Sequence, residues 1–188
     1  VAARLSKGIE FLFKKNKVAV VRGYGELRDR QTVAVINPDD NSTTGLKARN
    51  IVIATGARPR SIPNVEIDGK RIISSREAMI LPQIPKSIII IGAGAIGVEF
   101  AYLFNAFGVE VNLVEILPQI LPIEDEEITK ELSRSFRKRQ IGIHINTKVK
   151  SVQTQGDFVE VALNSGGESQ TLVADYALVA TGVQPNSD

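Results

Sequence analysis

Residues 88 to 97 read Ile-Ile-Ile-Ile-Gly-Ala-Gly-Ala-Ile-Gly, and no other stretch constrains the fold as tightly. Ile88 to Ile91 are β-branched and apolar without alternation, the pattern of a central parallel strand covered on both faces, here Ser87–Ile91. The strand runs directly into Gly92, which permits a tight turn. Gly94 carries no side chain, so a pyrophosphate can approach the backbone, and Gly97 lets the following helix pack close to the sheet. That helix is predicted over Ala95–Phe107 with Gly108 at its C-terminal cap. Its unpaired N–H groups and positive dipole end would receive phosphate charge, with Ala93, Ala95 and Ile96 completing the loop. A second strand, Val109–Val114, ends at Glu115, which stands 18 residues past Gly97 (115 − 97). Dinucleotide folds place the carboxylate that accepts ribose hydroxyls at about this distance. A carboxylate there repels a 2′-phosphate, and Ile116, Leu117, Pro118 and Gln119 offer no arginine to hold one, so the pattern favours NAD over NADP. Two plainer readings stay open: a tight turn with no ligand, and a strand-end carboxylate with no partner.

Composition removes many other chemistries. The 188 residues contain no cysteine and one histidine, which excludes disulfides, thiol catalysis and multi-histidine metal sites within the chain. A net charge of +2 gives no reason to expect nucleic acid or a membrane surface. No apolar run approaches the roughly 18 residues of a membrane-spanning helix. The Gly-Lys-Ser/Thr of a phosphate-binding NTPase loop is absent. His144 stands between two isoleucines with no motif beside it and reads as an ordinary strand histidine. No catalytic or metal-ligating residue is therefore assigned. Val1 opens straight into a helical pattern, the only methionine is Met79, and Gln184–Asp188 is loop-like, so the sequence reads as an internal piece of a longer chain.

Before the central strand, Leu5, Ile9, Leu12 and Phe13 have helical spacing, and Lys14, Lys15 and Lys17 complement that helix's C-terminal dipole. Val18–Val21 reads as a strand broken by Gly23-Tyr24-Gly25. Thr32–Ile36 is the next strand, Asn37 to Asn41 a turn, and Ile51–Ala54 a buried strand ending in Thr55-Gly56. Arg58–Gly69 is irregular, and a short helix near Arg76–Ile80 takes Ser75 as N-cap. Pro82 and Pro85 mark a boundary. Beyond Glu115, a helix over Asp125–Arg139 carries acids first and bases last, matching its dipole. Strands follow at Ile141–Ile145, then Val149–Gln153, Phe158–Leu163 and Gln170–Val173 as an antiparallel meander, then Tyr176–Ala180.

One internal echo stands out. Ile51 to Gly56, with Pro59 and Ser61 after it, matches Ala177 to Gly182, with Pro185 and Ser187 after it, at a constant offset of 126 (180 − 54, 185 − 59). A period this long suggests two related domains closing with the same strand-to-loop turn, and is no solenoid.

Taken together, Ile88–Phe100, Val109–Glu115, the meander and the paired Ala-Thr-Gly segments resemble the flavin-dependent pyridine nucleotide–disulfide oxidoreductases. Gly8-Ile9-Glu10, Gly23-Tyr24-Gly25, Ile67-Asp68-Gly69 and Asn146-Thr147-Lys148-Val149 carry the likeness along nearly the whole chain. The resemblance implies an α/β fold: a Rossmann-like domain with a central parallel sheet and antiparallel β-meander over residues 82–183, which would bind NAD. It implies a partial FAD-binding domain of the same type over 1–81, and a return toward it over 184–188. Gly92, Ala93, Gly94, Ala95, Ile96, Gly97, Glu99, Glu115, Val149 and Gly182 match NAD-holding positions, while Gly25, Thr55, Gly56 and Ala57 match FAD-lining ones. Glu99 matches a carboxylate near the nicotinamide–flavin contact, although a carboxylate near a helix N-terminus is favourable without any ligand. The family's first glycine loop, redox cysteine pair and catalytic histidine are absent from this chain. The implied parent is a homodimer in a 2-oxo acid dehydrogenase or glycine cleavage complex, in a bacterial cytoplasm or an organelle matrix. A non-catalytic dinucleotide-binding module is the alternative.

Overall fold

The computed structural model describes residues 2–187. They form two compact units, Val1–Ala54 and Thr55–Asp188. Residues 55–81, grouped with the N-terminal segment in the sequence reading, cluster with the second unit.

The first unit begins with helix α1 (Ala2–Lys15), which ends in Lys14 and Lys15 as dipole complementarity requires. Strands β1 (Tyr24–Leu27), β2 (Thr32–Ile36) and β3 (Thr43–Lys47) then form an antiparallel sheet in the order β1-β2-β3. Two expectations are overturned here. Tyr24 and Gly25 lie inside a strand and do not break one. Val18–Val21 and Ile51–Ala54, expected as strands, have no regular structure. Their β-branched residues suit a sheet, but no strand among the described residues pairs with them, and Val52 is 87% exposed and Ile53 64%. Strand β3 gave no sequence signal, because Thr43-Thr44-Gly45-Leu46-Lys47 has neither strong alternation nor an apolar run.

The second unit contains β4 (Ala57–Pro59), β5 (Ile72–Ile73), α2 (Ser75–Ala78), β6 (Ser87–Ile91), α3 (Ala95–Ala106), β7 (Glu110–Val114), α4 (Glu126–Lys138) and β8 (Gly142–His144). It continues through β9 (Thr147–Gln155), β10 (Phe158–Ser165), β11 (Glu168–Ala174), β12 (Tyr176–Val179) and β13 (Val183–Pro185). Ser74, and not Ser75, caps α2: its hydroxyl accepts the Arg76 N–H at 3.2 Å, and the Ser74 N–H donates to Glu77 at 2.8 Å. A carboxylate three residues after Ser74 makes that reciprocal pair, which Ser75 cannot make.

A five-stranded parallel sheet, ordered β5-β12-β6-β7-β8, forms the centre. The isoleucine run divides by strand alternation. Ile88 and Ile90 face the core shared with Val98, Ala101 and Phe104 of α3 and Phe136 of α4. Ile89 and Ile91 face the core shared with Val152, Val159, Val161 and Leu163 of the antiparallel sheet β11-β10-β9. All four isoleucines are 0–3% exposed. This is the two-sided cover that the continuous apolar run predicts.

The echoed segments behave differently from the expectation of two matching strands. Only the second contains one. Each Thr-Gly pair instead leads into a short strand, β4 or β13, and these two strands pair with each other: Ala57 with Pro185, Arg58 with Gln184, Pro59 with Val183. Under the 126-residue offset (183 − 57), this ladder is its own mirror about the Arg58–Gln184 pair. The flanking bonds obey the same exchange. The Arg60 N–H donates to the Gly182 carbonyl, and the Asn186 N–H donates to the Gly56 carbonyl, both at 3.0 Å. The Thr181 hydroxyl donates to the Arg60 carbonyl at 2.7 Å, and the Thr55 hydroxyl donates to the Asn186 carbonyl. The ribbon therefore has an approximate internal two-fold axis.

Candidate functional site

The chain runs β6-α3-β7-α4-β8 toward one edge of the central sheet and later returns to β12 on the other side of β6. Such a reversal opens a crevice at the carboxyl ends of the strands, where parallel sheets bind ligands. A cleft of about 840 Å³ lies at this point, lined by Gly92, Gly94, Ala95 and Ile96 above β6. Glu115 and Ile116, which follow β7, also line it, as do Lys148, Val149 and Lys150 of β9; so do Thr181 and Gly182, which follow β12, and Arg60, whose backbone bonds to both of them.

The three glycines have different structural reasons. A Cβ on Gly97 would stand 1.9 Å from the Gly92 carbonyl oxygen, so this position fixes how closely α3 meets the strand. Gly92 has φ +101°, and a Cβ there would meet the Ala180 carbonyl oxygen at 2.6 Å. Gly94 has φ −71° as N-cap of α3, a conformation open to any residue, and a Cβ there would meet nothing within 4 Å. Internal packing explains two of the glycines and leaves the third facing open space at a helix N-terminus. That cradle fits a dinucleotide's pyrophosphate.

Glu115 is 7% exposed and anchors the loop from β7. Its Oε2 accepts the Ala93 N–H at 2.8 Å and its Oε1 accepts the Leu117 N–H at 3.0 Å. Among the described residues it is the only carboxylate in the cleft lining, against the cations Arg60, Lys148 and Lys150. None of these three has an ion-pair partner among the described residues, so the cleft is electropositive and suits an anionic ligand.

Of the sites read from the sequence, Gly92, Gly94, Ala95, Ile96, Glu115, Val149 and Gly182 line this cleft. Ala93 is fully buried and contributes its backbone, while Gly97 acts beneath the loop. Glu99 is exposed on α3 and outside the cleft lining. Gly25 lies on β1 in the first unit. Thr55, Gly56 and Ala57 lie on the two-fold ribbon. His144 is half-buried, with Nε2 2.9 Å from Asn112 Oδ1, and burial lowers its pKa below the usual histidine value. The sequence reading missed Arg60, Thr181, Lys148 and Lys150. The echo pointed at Thr181, and the lysines flank a residue already singled out.

Among the described residues no group of His, Asp and Glu could hold a metal ion, and no helix is long and apolar enough to cross a membrane. Parallel sheet, glycine loop and strand-end carboxylate together define a dinucleotide-binding α/β protein. Comparison with known proteins narrows this class. The model of the pyridine nucleotide-disulphide oxidoreductase family matches residues 1–188, and the chain belongs to that family. It is 44% identical over 184 residues to a dihydrolipoyl dehydrogenase of Chlorobaculum parvum, covering 97% of this chain and 39% of that protein. It is 42% identical over 185 residues to a leghemoglobin reductase of Vigna unguiculata, covering 97% of this chain and 35% of the other. The crystal structure of LpdA from Mycobacterium tuberculosis superposes with a TM-score of 0.87 at 31% identity, over 99% of this chain and 41% of that one. The chain thus spans about two fifths of the length of these relatives. It is related to dihydrolipoyl dehydrogenases, in a family that uses FAD and NAD(P).

Proposed function

We propose that this chain binds NAD(H) in the β6–β7–β12 cleft and holds it for hydride exchange with FAD in a dihydrolipoamide dehydrogenase. The observation that carries the reading is Gly94, where a Cβ would meet nothing of the protein within 4 Å, although it would stand in the way of a pyrophosphate approaching the backbone. Bound nicotinamide would supply the hydride chemistry. The chain's own residues bind and orient. The N–H groups at the start of α3 would hold the pyrophosphate. Glu115 keeps lone pairs beyond its two backbone bonds and would accept the adenosine ribose hydroxyls. Thr181-Gly182 would border the nicotinamide end, because they lie at the tip of β12, across β6 from Glu115.

The ribbon's two-fold axis extends this reading to the flavin. If Thr181 and Gly182 border one dinucleotide, their equivalents Thr55 and Gly56, with Ala57, would border a second; the mirrored pairing of the ribbon supports this. Gly25 and Glu99 remain assigned to the flavin and the nicotinamide–flavin contact on the resemblance alone. A partial flavin domain over 1–81, a nicotinamide domain over 82–183, a homodimeric parent and membership of a 2-oxo acid dehydrogenase or glycine cleavage complex belong to the same proposal. So does location in a bacterial cytoplasm or an organelle matrix.

The test is a comparison of Gly94→Ala with the unaltered protein by NADH titration and thermal melting. The proposal expects an unchanged melting temperature and NADH binding weaker by about tenfold or more, the loss of roughly one close contact pair. Unchanged NADH affinity would overturn it. Another flavin-dependent disulfide reductase or an NADH oxidase is the second reading, favoured by the different name of the Vigna relative at a similar identity. Assay of the protein with dihydrolipoamide and with alternative electron acceptors separates the two.

A further inference from the structure

Beyond β7 the central sheet ends at β8, which pairs with no strand but β7 among the described residues. The Glu115 N–H donates to the His144 carbonyl at 2.8 Å and the Asn146 N–H to the Leu117 carbonyl at 3.0 Å, so even-numbered residues here bond toward β7 and its extension. In a parallel ladder alternate residues turn their N–H and carbonyl groups to opposite sides, and those of Ile143 therefore face the open edge. The Ile145 N–H, just past β8, has no hydrogen-bond partner among the described residues. Beside this edge runs a groove of about 670 Å³ between Ile143 and Ile145 and one face of α4. Lys130, Arg134, Arg137 and Lys138, all exposed, line it against a single carboxylate among the described residues, Glu126. Their spacing of three and four residues runs the charge along the helix. Glu126 pairs with Lys130 at 2.7 Å and Arg134 pairs with Glu131 at 2.6 Å, exposed contacts that cost little to exchange. Arg137 and Lys138 have no ion-pair partner among the described residues. The helix dipole accounts for cations in the last turn, but not for Lys130 and Arg134 turned to the same groove.

The geometry points to strand addition at this edge: an extended acidic segment of a partner protein lies along β8, with its carboxylates in the α4 groove. Backbone pairing with Ile143 supplies the docking, and the row of cations selects the charge. Ile143 and Ile145 pack against the core beneath α4, so every second residue of an added strand stands on the α4 side. The pattern recognised is Asp or Glu at alternate positions. The 13 residues of α4 span about 20 Å, the length of about six extended residues. A second copy of this chain does not suit the groove. Pairing β8 with β8 would bring both α4 helices to one side of the joined sheet and set two rows of cations against each other. An acidic segment replaces that repulsion with attraction. The groove shares no lining residue with the dinucleotide cleft, so the two can be occupied independently.

The test uses the whole chain and a fluorescent, end-blocked peptide that alternates threonine and glutamate, followed by anisotropy. Saturable binding is expected at low salt, with a dissociation constant of about 0.1 mM or tighter, weakening at physiological salt. Glutamine in place of glutamate should weaken it by about tenfold or more. N-methylation of all the peptide's amides, which keeps the charge and removes the strand's donors, should do the same. Arg137→Gln/Lys138→Gln and Lys130→Gln/Arg134→Gln should each weaken binding by about fivefold or more, and thermal melts confirm that these exposed changes keep the fold. Bound peptide should slow hydrogen exchange at the Ile143 amide by about tenfold or more. Absence of saturable binding overturns the proposal, as does equal binding of the N-methylated peptide or an unchanged Ile143 amide. Variants that bind the peptide as before but self-associate in sedimentation also overturn it, since the cations would then only guard the edge against a second copy.

Discussion

Gly97 and Gly94 are three residues apart, yet the physics asks opposite things of them. At Gly97 a methyl group would collide with the Gly92 carbonyl, so Gly97→Ala should cost the fold about 1–3 kcal/mol or more, read as a lower urea midpoint. Gly94→Ala should leave that midpoint in place and act on NADH binding. His144 makes a separate prediction. Burial disfavours its charged form, so the folded-state pKa lies below the unfolded value of about 6.5. The unfolded chain then binds more protons, and stability rises with pH. Its contribution is complete above the unfolded pKa and is lost as pH falls from there through the folded one. Stability of the unaltered protein should therefore drop between about pH 7.5 and 5.5 more steeply than that of His144→Gln. Parallel curves in urea titrations at the two ends of this range would contradict it.

Elements depend on their caps and their partners. Asp125 opens α4 by accepting the Glu127 N–H at 2.8 Å, while Glu126 and Glu127 lie in the first turn and Arg137 and Lys138 in the last. Asp125→Ala should cost about 1 kcal/mol, measurable as a shift of the unfolding midpoint without loss of NADH binding. Caps act locally, so the sequence displays them, and even the one-residue difference at α2 was legible in the spacing of Ser74 and Glu77. Strands are another matter. Val18–Val21 and Ile51–Ala54 look more strand-like than Thr43–Lys47, yet only the last forms one. β-Propensity describes a surface suited to pairing, and the pairing itself needs a neighbour.

For the molecule as a whole, the two units differ in how far they bury their apolar residues. Both core clusters belong to residues 55–188. The first unit leaves Leu5, Ile9, Phe11 and Leu12 of α1 each 52–64% exposed. A segment comprising residues 55–188 should therefore fold cooperatively by itself and bind NADH as the whole chain does. Calorimetric titration and a circular dichroism melt check this. A non-cooperative melt, or binding weakened more than about tenfold, would show that the first unit is needed. The mirrored ribbon belongs to this scale too. Its reciprocal bonds join residues more than 120 positions apart, which is why the sequence revealed the echo but not its meaning.

The sequence alone determined the central strand, the glycine turn, α3, Glu115 and the meander, because each is written in residues close together whose period, backbone freedom or charge acts locally. It also carried the likeness to the family. The tertiary structure decided what depends on distant partners: which apolar runs become strands, and that the two echoed tails pair with each other. It also decided the charge of the cleft. Residues 116–119, directly after Glu115, contain no cation. The fold brings β9 to Glu115, and Lys148 and Lys150 with it. Charge in a cleft is summed over every wall, and a linear reading sees one wall at a time.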